Sequence, residues 1–152
     1  MKRLFDIIFS FIGLLVLLPL FVVVAVIIKI DSFGPVFFKQ ERMGKNFKPF
    51  LIFKFRTMVK DAPKKGLQIT AAGDERVTRV GRILRKRKID EFPQLINVLK
   101  GEMSFVGPRP EVEKYVERYK EDYNYILCVK PGITDISSII FRDEESILKD
   151  KE

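Results

Sequence analysis

The chain has 152 residues, enough for one domain, and its 28 basic and 20 acidic side chains give a net charge of +8. It has no histidine and a single cysteine, which excludes an intrachain disulfide, a cysteine metal cluster and the usual histidine base or zinc ligand. Any catalysis must therefore use carboxylates and cations, with a hard metal ion as a further candidate, and the basic excess predicts an anionic partner. We expect the cysteine, Cys128, to be a buried hydrophobic residue.

The first predicted element is an apolar N-terminal segment. Residues 11–28 carry no charge and are long enough to form a membrane helix. Pro19 lies in the middle of this run, and a proline inside a helix predicts a kink. Two interpretations stay open: a simple spanning helix, which the residues alone favour, and a helix bent at Pro19 that enters and leaves by the same face. Asp6 is expected at the membrane interface or paired with a cation.

The next predicted element is a β-hairpin. Residues 36–42 and 50–56 are rich in aromatic and β-branched side chains and flank a short Gly-Lys-Asn turn. Alternation along the second strand places Lys54 and Arg56 on one face and Phe53 and Phe55 on the other. We give equal weight to two interpretations of the cations, a solvated polar face and a pair aimed at a phosphate.

A polar segment and a basic helix follow. Residues 60–73 contain proline and glycine between polar side chains and predict a loop. Arginines then recur at every third position from 76 to 85, alternating with aliphatic residues. This spacing predicts a basic amphipathic helix that faces an anionic membrane surface or phosphates.

Two adjacent carboxylates, Asp90 and Glu91, follow this basic stretch. Pro93 fits only the first turn of a helix, so a helix is predicted to begin near Asp90, with Asp90 as its N-cap, and to end at Gly101. The positive end of the helix dipole and the preceding cations suit phosphate or a carboxylate-bound metal. The stiff turn around Arg109 can return a guanidinium to the same place. The alternative is that Asp90 is only an N-cap and Glu91 its solvated neighbour.

The remaining elements are predicted from periodicity. Residues 111–125 form an amphipathic pattern that turns Val112, Tyr115, Val116 and Tyr119 inward. A turn is predicted at 130–132, an irregular or extended segment at 133–141 and a short helix that begins around residue 142.

Together these motifs resemble a known family, the monotopic phosphoglycosyl transferases, which are bacterial sugar transferases. The matching stretches are KRLFD at 2–6, GPVFFKQER at 34–42, KFRTM at 54–58, RVGR at 79–82, IDEFPQL at 89–95, NVLKGEMS at 97–104, VGPRP at 106–110 and KPGIT at 130–134. They follow one another in order over nearly the whole chain.

The resemblance implies an activity. Enzymes of this family move a sugar-1-phosphate from a UDP-sugar to undecaprenyl phosphate, release UMP and initiate surface polysaccharide or glycoconjugate synthesis. By the resemblance, Asp90 is the nucleophile of a covalent phosphosugar intermediate and a Mg²⁺ ligand, and Glu91 is its partner in metal handling or proton transfer. Arg85 and Arg109 match family arginines that hold phosphate. For Lys54 and Arg56 we infer phosphate binding from their spacing.

The resemblance also bears on the membrane segment. The family uses a re-entrant helix broken at a Ser-Pro pair, with both ends cytosolic, and the corresponding pair here is Leu18-Pro19. This favours the bent helix over the spanning one. The chain departs from the family at Asp135, where a glycine is usual, and it ends before a tyrosine-containing segment that many members carry. Both departures concern nucleotide and sugar recognition more than phosphoryl chemistry.

The combined prediction is a mostly helical α/β (α+β) protein. Residues 1–30 form a re-entrant membrane helix, and residues 31–152 form a membrane-associated catalytic domain on the cytoplasmic face of the cell inner membrane. The expected partners are a UDP-sugar donor, a polyprenyl phosphate acceptor and the membrane, with a homodimer or downstream glycosyltransferases as further candidates. The alternative is a non-catalytic, membrane-anchored basic module that binds anionic lipid or a glycan-assembly partner. A nucleic-acid binder ranks third, because no binding motif for nucleic acid is present.

Overall fold

The computed structural model describes residues 1–60, 62 and 74–135. The described helices and strands, in chain order, are α1 (Lys2–Asp31), β1 (Phe37–Met43), β2 (Pro49–Phe55), α2 (Arg79–Lys86), α3 (Gln94–Lys100), β3 (Ser104–Val106), α4 (Glu113–Arg118), α5 (Lys120–Ile126) and β4 (Gly132–Thr134). This mixture confirms the broad α/β class. Most of the predicted 60–73 loop and the predicted helix after residue 142 lie outside the described residues.

The N-terminal helix α1 packs one narrow side against the rest of the protein. Its buried residues are Asp6, Ser10, Val24 and Ile28. Their spacing places them along one stripe of the helix. Most of the other large apolar side chains of α1 are exposed. By length and composition α1 could cross a membrane. The helix continues through Pro19, and the predicted kink and re-entrant path stay predictions.

Asp6 is buried against β3. It is 3% exposed, and its Oδ1 accepts hydrogen bonds from the Ser104 hydroxyl at 3.1 Å and the Phe105 amide at 3.4 Å. Neutral donors of β3 therefore bind the carboxylate, and its charge also acts on Lys130, while its place at a membrane interface stays a prediction. These bonds tie the first turns of α1 to a strand about a hundred residues later.

The predicted hairpin is confirmed. Strands β1 and β2 are antiparallel, with Phe37 opposite Phe55 and Met43 opposite Pro49. A second sheet pairs β3 with β4 in parallel. At the tip of the hairpin, Asn46 and Phe47 have φ angles of 55° and 57°. Asparagine tolerates this left-handed region, whereas for phenylalanine it is costly and must be imposed by surrounding contacts.

Three apolar clusters join these elements. The first unites α1, β2 and α2, the second lies between β2 and α3, and the third connects the hairpin with α4 and α5. Their buried members are Val24, Ile28, Phe55 and Leu84; Phe50, Ile52, Val98 and Met103; and Met43, Val116 and Leu127, respectively. Because α1 contributes two of the four buried residues of the first cluster, it is part of the core.

The basic helix α2 is confirmed, although it begins later than the arginine spacing suggested. Thr78 is its N-cap, and the Thr78 hydroxyl accepts a hydrogen bond from the Gly81 amide at 2.9 Å. A Cβ at Gly81 would overlap the backbone carbonyl of Thr57. Glycine therefore allows α2 to lie directly against the chain that follows β2.

Two predictions for the C-terminal half are wrong. The pattern over 111–125 forms two helices, α4 and α5, because Tyr119 leaves the helical conformation at φ −121° and ψ 40°. This break changes the phase of the pattern, and Tyr119 is 51% exposed instead of inward. Cys128 is exposed rather than buried, since its neighbour Leu127 fills the core position, and its Sγ contacts the Tyr125 carbonyl oxygen at 2.7 Å.

Candidate active site

The carboxylates Asp90 and Glu91 lie in a 3₁₀ turn, Ile89–Glu91, between α2 and α3. Lys88 enters this turn with a left-handed φ of 56°. Helix α3 begins at Gln94, so the expectation that Asp90 caps this helix is wrong. Pro93 ends the preceding turn and starts the helix without a side-chain cap. The predicted end of the helix at Gly101, with φ 87°, is confirmed.

Asp90 is a buried carboxylate with an unused acceptor. The residue is 7% exposed, and its Oδ1 has no hydrogen-bond partner. Burial raises the pKa of Asp90 above its ordinary value, against the attraction of Lys54 and with a further contribution from the neighbouring Glu91 charge. A buried oxygen without a partner is costly unless something binds it. The arrangement suits a cation at Asp90.

Glu91 has a dedicated partner. The Lys54 ammonium donates a hydrogen bond to Glu91 Oε1 at 2.7 Å, and both side chains are about four-fifths buried. Burial alone would raise the pKa of Glu91, but the charge and hydrogen bond of Lys54, together with Arg109 and Lys88, lower it below its ordinary value. Adjacent carboxylates thus have pKa values displaced in opposite directions, a property typical of catalytic pairs.

Strand β2 positions Lys54 in this site. Phe50 and Ile52 are buried against α3, and Lys54 continues the same side of the strand by period-two alternation. The apolar end of this face therefore sets the position of its charged end. The Phe53 amide also donates to the Asn97 side chain at 3.0 Å.

Asn97 is a buried residue to which the sequence reasoning gave no role. It is fully buried, and its Nδ2 donates to the Leu51 carbonyl and to Glu102 Oε2, both at 2.7 Å. Together with the bond from Phe53, the bond to Leu51 fastens β2 to α3 on either side of Ile52. Asn97 follows an apolar run, and no local pattern distinguishes it from a solvent-facing polar residue.

Arg85 reaches the site from the last turn of α2. Its Nε donates to the Thr57 hydroxyl at 2.9 Å. Its charge is close enough to lower the pKa of Asp90 in part. The Thr57 carbonyl also accepts a hydrogen bond at 3.0 Å from the amide of Thr78, the N-cap of α2. Thr57 therefore binds both the start of α2 and the side chain of Arg85 near its end.

Arg109 approaches from the turn after β3. Its charge lowers the pKa of Glu91, and its backbone amide donates to Asp135 Oδ2 at 3.1 Å. The residue that departs from the family pattern, Asp135, thus contacts the backbone of a predicted phosphate-binding arginine.

Arg42 is a further cation for which no role was predicted, although it lies in one of the matching motifs. Its guanidinium donates to the Pro110 carbonyl, to Glu111 and to Gln40. Burial lowers its pKa, Glu111 and Glu91 oppose the shift, and Arg109 adds to it. Arg42 therefore belongs to the cationic surroundings of Glu91.

Arg56 has a different environment. It is 6% exposed and donates to the Ser32 carbonyl at 2.7 Å, the Ser32 hydroxyl at 2.9 Å and the Phe33 carbonyl at 3.1 Å. These bonds join the end of β2 to the end of α1. Arg56 and Lys54 therefore bind different partners, and a phosphate-binding role for Arg56 stays a prediction.

The sequence is similar to those of known bacterial sugar transferases. Residues 1–151 match the family described as bacterial sugar transferase. An Aeromonas hydrophila UDP-N-acetylgalactosamine-undecaprenyl-phosphate N-acetylgalactosaminephosphotransferase is 44% identical over 91% of this chain and 34% of its own length. A putative undecaprenyl-phosphate N-acetylgalactosaminyl 1-phosphate transferase of Bacillus subtilis is 46% identical over 80% of this chain and 68% of its own length. A Klebsiella pneumoniae UDP-glucose:undecaprenyl-phosphate glucose-1-phosphate transferase is 44% identical over 91% of this chain and 30% of its own length. The chain thus spans about a third of two of these relatives.

Proposed function

The chain belongs to the bacterial sugar transferase family, and we propose that it transfers a sugar-1-phosphate from a UDP-sugar to undecaprenyl phosphate. UMP is the second product. The proposal rests chiefly on one observation: Asp90 is buried with an unpartnered oxygen, beside a glutamate that a lysine holds ionised. Such a pair, surrounded by cations, is suited to displacement at a phosphorus atom.

In the first half of the proposed reaction, an Asp90 carboxylate oxygen attacks the donor phosphorus that carries the sugar. The bond from this phosphorus to the oxygen of UMP breaks, and UMP leaves with the electron pair. An aspartyl phosphosugar remains on the enzyme. A carboxylate needs no deprotonating base at neutral pH, which fits a chain without histidine.

In the second half, a phosphate oxygen of undecaprenyl phosphate attacks the same phosphorus. The bond to Asp90 breaks, the carboxylate is restored and the lipid diphosphate sugar is released. Arg85 and Arg109 bind the phosphate oxygens through both steps, while Lys54 keeps Glu91 in place. Their charges stabilise the negative charge that spreads over the transferring group.

The two carboxylates fit a magnesium site. Mg²⁺ in proteins is typically bound by one or two carboxylates together with substrate phosphates, and Asp90 Oδ1 is a buried acceptor without a partner. Among the described residues, no group of three or more histidine, cysteine or acidic side chains offers a larger ligand set. Asp90 and Glu91 would hold the ion, which would neutralise charge on the donor phosphates.

We propose further that α1 is re-entrant, with both ends on the cytoplasmic face of the inner membrane. Near its start, Asp6 bonds to β3, and near its end, Val24 and Ile28 pack with Phe55. A helix that crossed the hydrocarbon core would separate its ends by about 30 Å of lipid, so one domain would not contact both. The bend at Leu18-Pro19, a homodimer and downstream glycosyltransferases stay predictions.

The test is UMP release from a panel of UDP-sugars, with undecaprenyl phosphate in detergent, with and without Mg²⁺. We expect Asp90→Asn to abolish release, because the amide is not a nucleophile, and the exposed control Asp122→Asn to retain it. Mass spectrometry without the lipid acceptor should find the phosphosugar on Asp90. Equal UMP release by wild type and Asp90→Asn would refute the mechanism. No release from any donor would favour the non-catalytic anchor.

A further inference from the structure

A second basic site lies at the other end of α3 from the carboxylates. It is an open cavity of about 370 Å³, whose cationic lining residues are Lys45, Lys48 and Lys130. We call it the lysine cavity. Phe50 and Gly101 also line it, and Gly101 ends α3. The seven residues of α3, at a rise of 1.5 Å each, place roughly 10 Å between this cavity and the turn that carries Asp90.

The lysines of the cavity form no direct ion pairs in the part of the chain that the structure describes. Within residues 1–60, 62 and 74–135, none of the three forms an ion pair. Glu102 also lines the cavity, but its carboxylate is held by Lys100 and Asn97, each at 2.7 Å. The cavity therefore has a surplus of positive charge.

A further cation approaches from α1. A Cβ built on Gly101 would lie 3.0 Å from Arg3 Nη2 and 3.4 Å from Lys130 Nζ, so these two nitrogens are close neighbours. Burial lowers the pKa of Lys130, Arg3 and Lys45 lower it further, and Asp6 opposes them. The lysines and Arg3 thus repel one another, and a bound anion would relieve this repulsion.

Two of the lysines lie on either side of a strained stretch of backbone. Lys45 and Lys48 flank the left-handed residues Asn46 and Phe47 at the tip of the hairpin. The Asn46 amide donates to the Leu127 carbonyl at 2.7 Å, which fixes the tip against the end of α5. Left-handed conformations of non-glycine residues concentrate at binding sites, where surrounding contacts impose them.

We propose that the lysine cavity binds a phosphate group, as a second anion site separate from Asp90 and Glu91. Lysines act as point charges for phosphate. Arg3 lies in the first turn of α1, and Leu4 and Phe5 beside it are exposed, so the cavity lies at the depth of lipid headgroups if α1 enters the membrane. The phosphate can belong to an anionic lipid headgroup or to a soluble diphosphate.

The test uses the full chain in neutral detergent with two probes. Inorganic pyrophosphate binding is measured by calorimetry, and binding of phosphatidylglycerol against phosphatidylcholine by native mass spectrometry. The variant is Lys45→Gln with Lys130→Gln, and the matched control is Lys114→Gln with Lys120→Gln, which removes the same charge from the exposed sides of α4 and α5.

We expect the cavity variant to weaken binding of at least one probe by roughly fivefold per lysine, or about 25-fold, because one lysine near an anionic surface contributes about a factor of five. The control should change it less than twofold. A lipid headgroup is assigned if only phosphatidylglycerol binding falls, and a soluble phosphate if only pyrophosphate binding falls. Equal losses in variant and control, or none, would overturn the proposal. If the double variant fails to fold, Lys48→Gln tests the same site with a fivefold expectation.

Discussion

The pair formed by Lys54 and Glu91 allows a quantitative test of how the site is held. Lys54→Met keeps most of the side-chain volume and removes the ammonium group. Glu91 then remains in the same buried place without the charge that stabilises its ionised form. The variant should therefore be less stable than wild type at neutral pH.

The expected loss follows from the geometry. The ammonium nitrogen lies 2.7 Å from Glu91 Oε1, a distance at which unit charges attract by about 6 kcal/mol with an effective dielectric constant near 20. Desolvation of both groups offsets much of this attraction. Because the side chains keep 23% and 19% of their exposure, we expect a net loss of about 2–3 kcal/mol, less than for a fully buried pair. For a chain of this size the unfolding midpoint should fall by roughly 5–10 °C.

The pH dependence gives the sharper criterion. In wild type the lowered pKa of Glu91 stabilises the fold above the ordinary carboxyl pKa, and this contribution is lost as the pH falls through the lowered value. Lys54 makes the largest contribution that lowers the pKa of Glu91. Without it, the raising effect of burial is opposed only by Arg109 and Lys88, so Glu91 is protonated more readily as the pH falls from 7 towards 4, and protonation removes the cost of its buried charge. The difference in stability between wild type and Lys54→Met should therefore shrink with acidification.

Thermal unfolding of the detergent-purified proteins from pH 4 to 8 measures this difference. Lys39→Met is the matched control, since Lys39 is an exposed lysine of β1 whose Nζ lies 5.1 Å from the Phe53 ring centre. This substitution should lower the free energy of unfolding by no more than about 1 kcal/mol. A stability loss for Lys54→Met that stays constant across this pH range would refute the reasoning, as would none at all.

Three further predictions concern the same site. Asp90→Asn should be more stable than wild type at pH 7 by about 1 kcal/mol, because the raised pKa of Asp90 means that its charge destabilises the fold. This advantage should vanish as the pH falls through that pKa, and a lower unfolding midpoint for the variant at pH 7 would contradict the prediction. Gly81→Ala should cost about 2–3 kcal/mol and reduce UMP release, because its methyl group overlaps the Thr57 carbonyl and separates α2 from it; unchanged unfolding and activity would contradict it. Asn97→Ala should lower stability by about 3 kcal/mol, since three side-chain hydrogen bonds of about 1 kcal/mol each are lost, and denaturant titration would show no shift if they contribute nothing.

Much of the fold could be predicted because its signals are local. The length and apolarity of residues 11–28, the alternation of the hairpin strands, the arginine spacing of α2 and the glycine at 101 each specify an element within a short window. Where one residue interrupts a regular pattern, as Tyr119 does between α4 and α5, periodicity alone placed side chains on the wrong side.

The site was predictable in its residue types but not in its pairings. The sequence indicated that Asp90 and Glu91 lie among cations. It did not show that Lys54, 37 positions away, would hold Glu91. Nor did it show that Arg56, two residues further on, would bind the end of α1 instead. Such pairings depend on the packing of distant elements, which fixes where a long side chain can reach. Asn97 and Arg42 were missed for the same reason.

The participation of α1 in the core has a consequence for how the protein is made. Phe55 is 1% exposed because Val24 and Ile28 cover it, and Ser104 bonds to the Asp6 carboxylate. A truncated chain without α1 would uncover that ring and leave the Ser104 hydroxyl without this acceptor, so it is expected to aggregate rather than yield a water-soluble catalytic fragment. The helix precedes the strands along the chain, so it is synthesised before them, and the strands that complete the site must fold onto it. If α1 enters the bilayer as proposed, its delivery to the membrane comes before the residues around Asp90 reach their final arrangement.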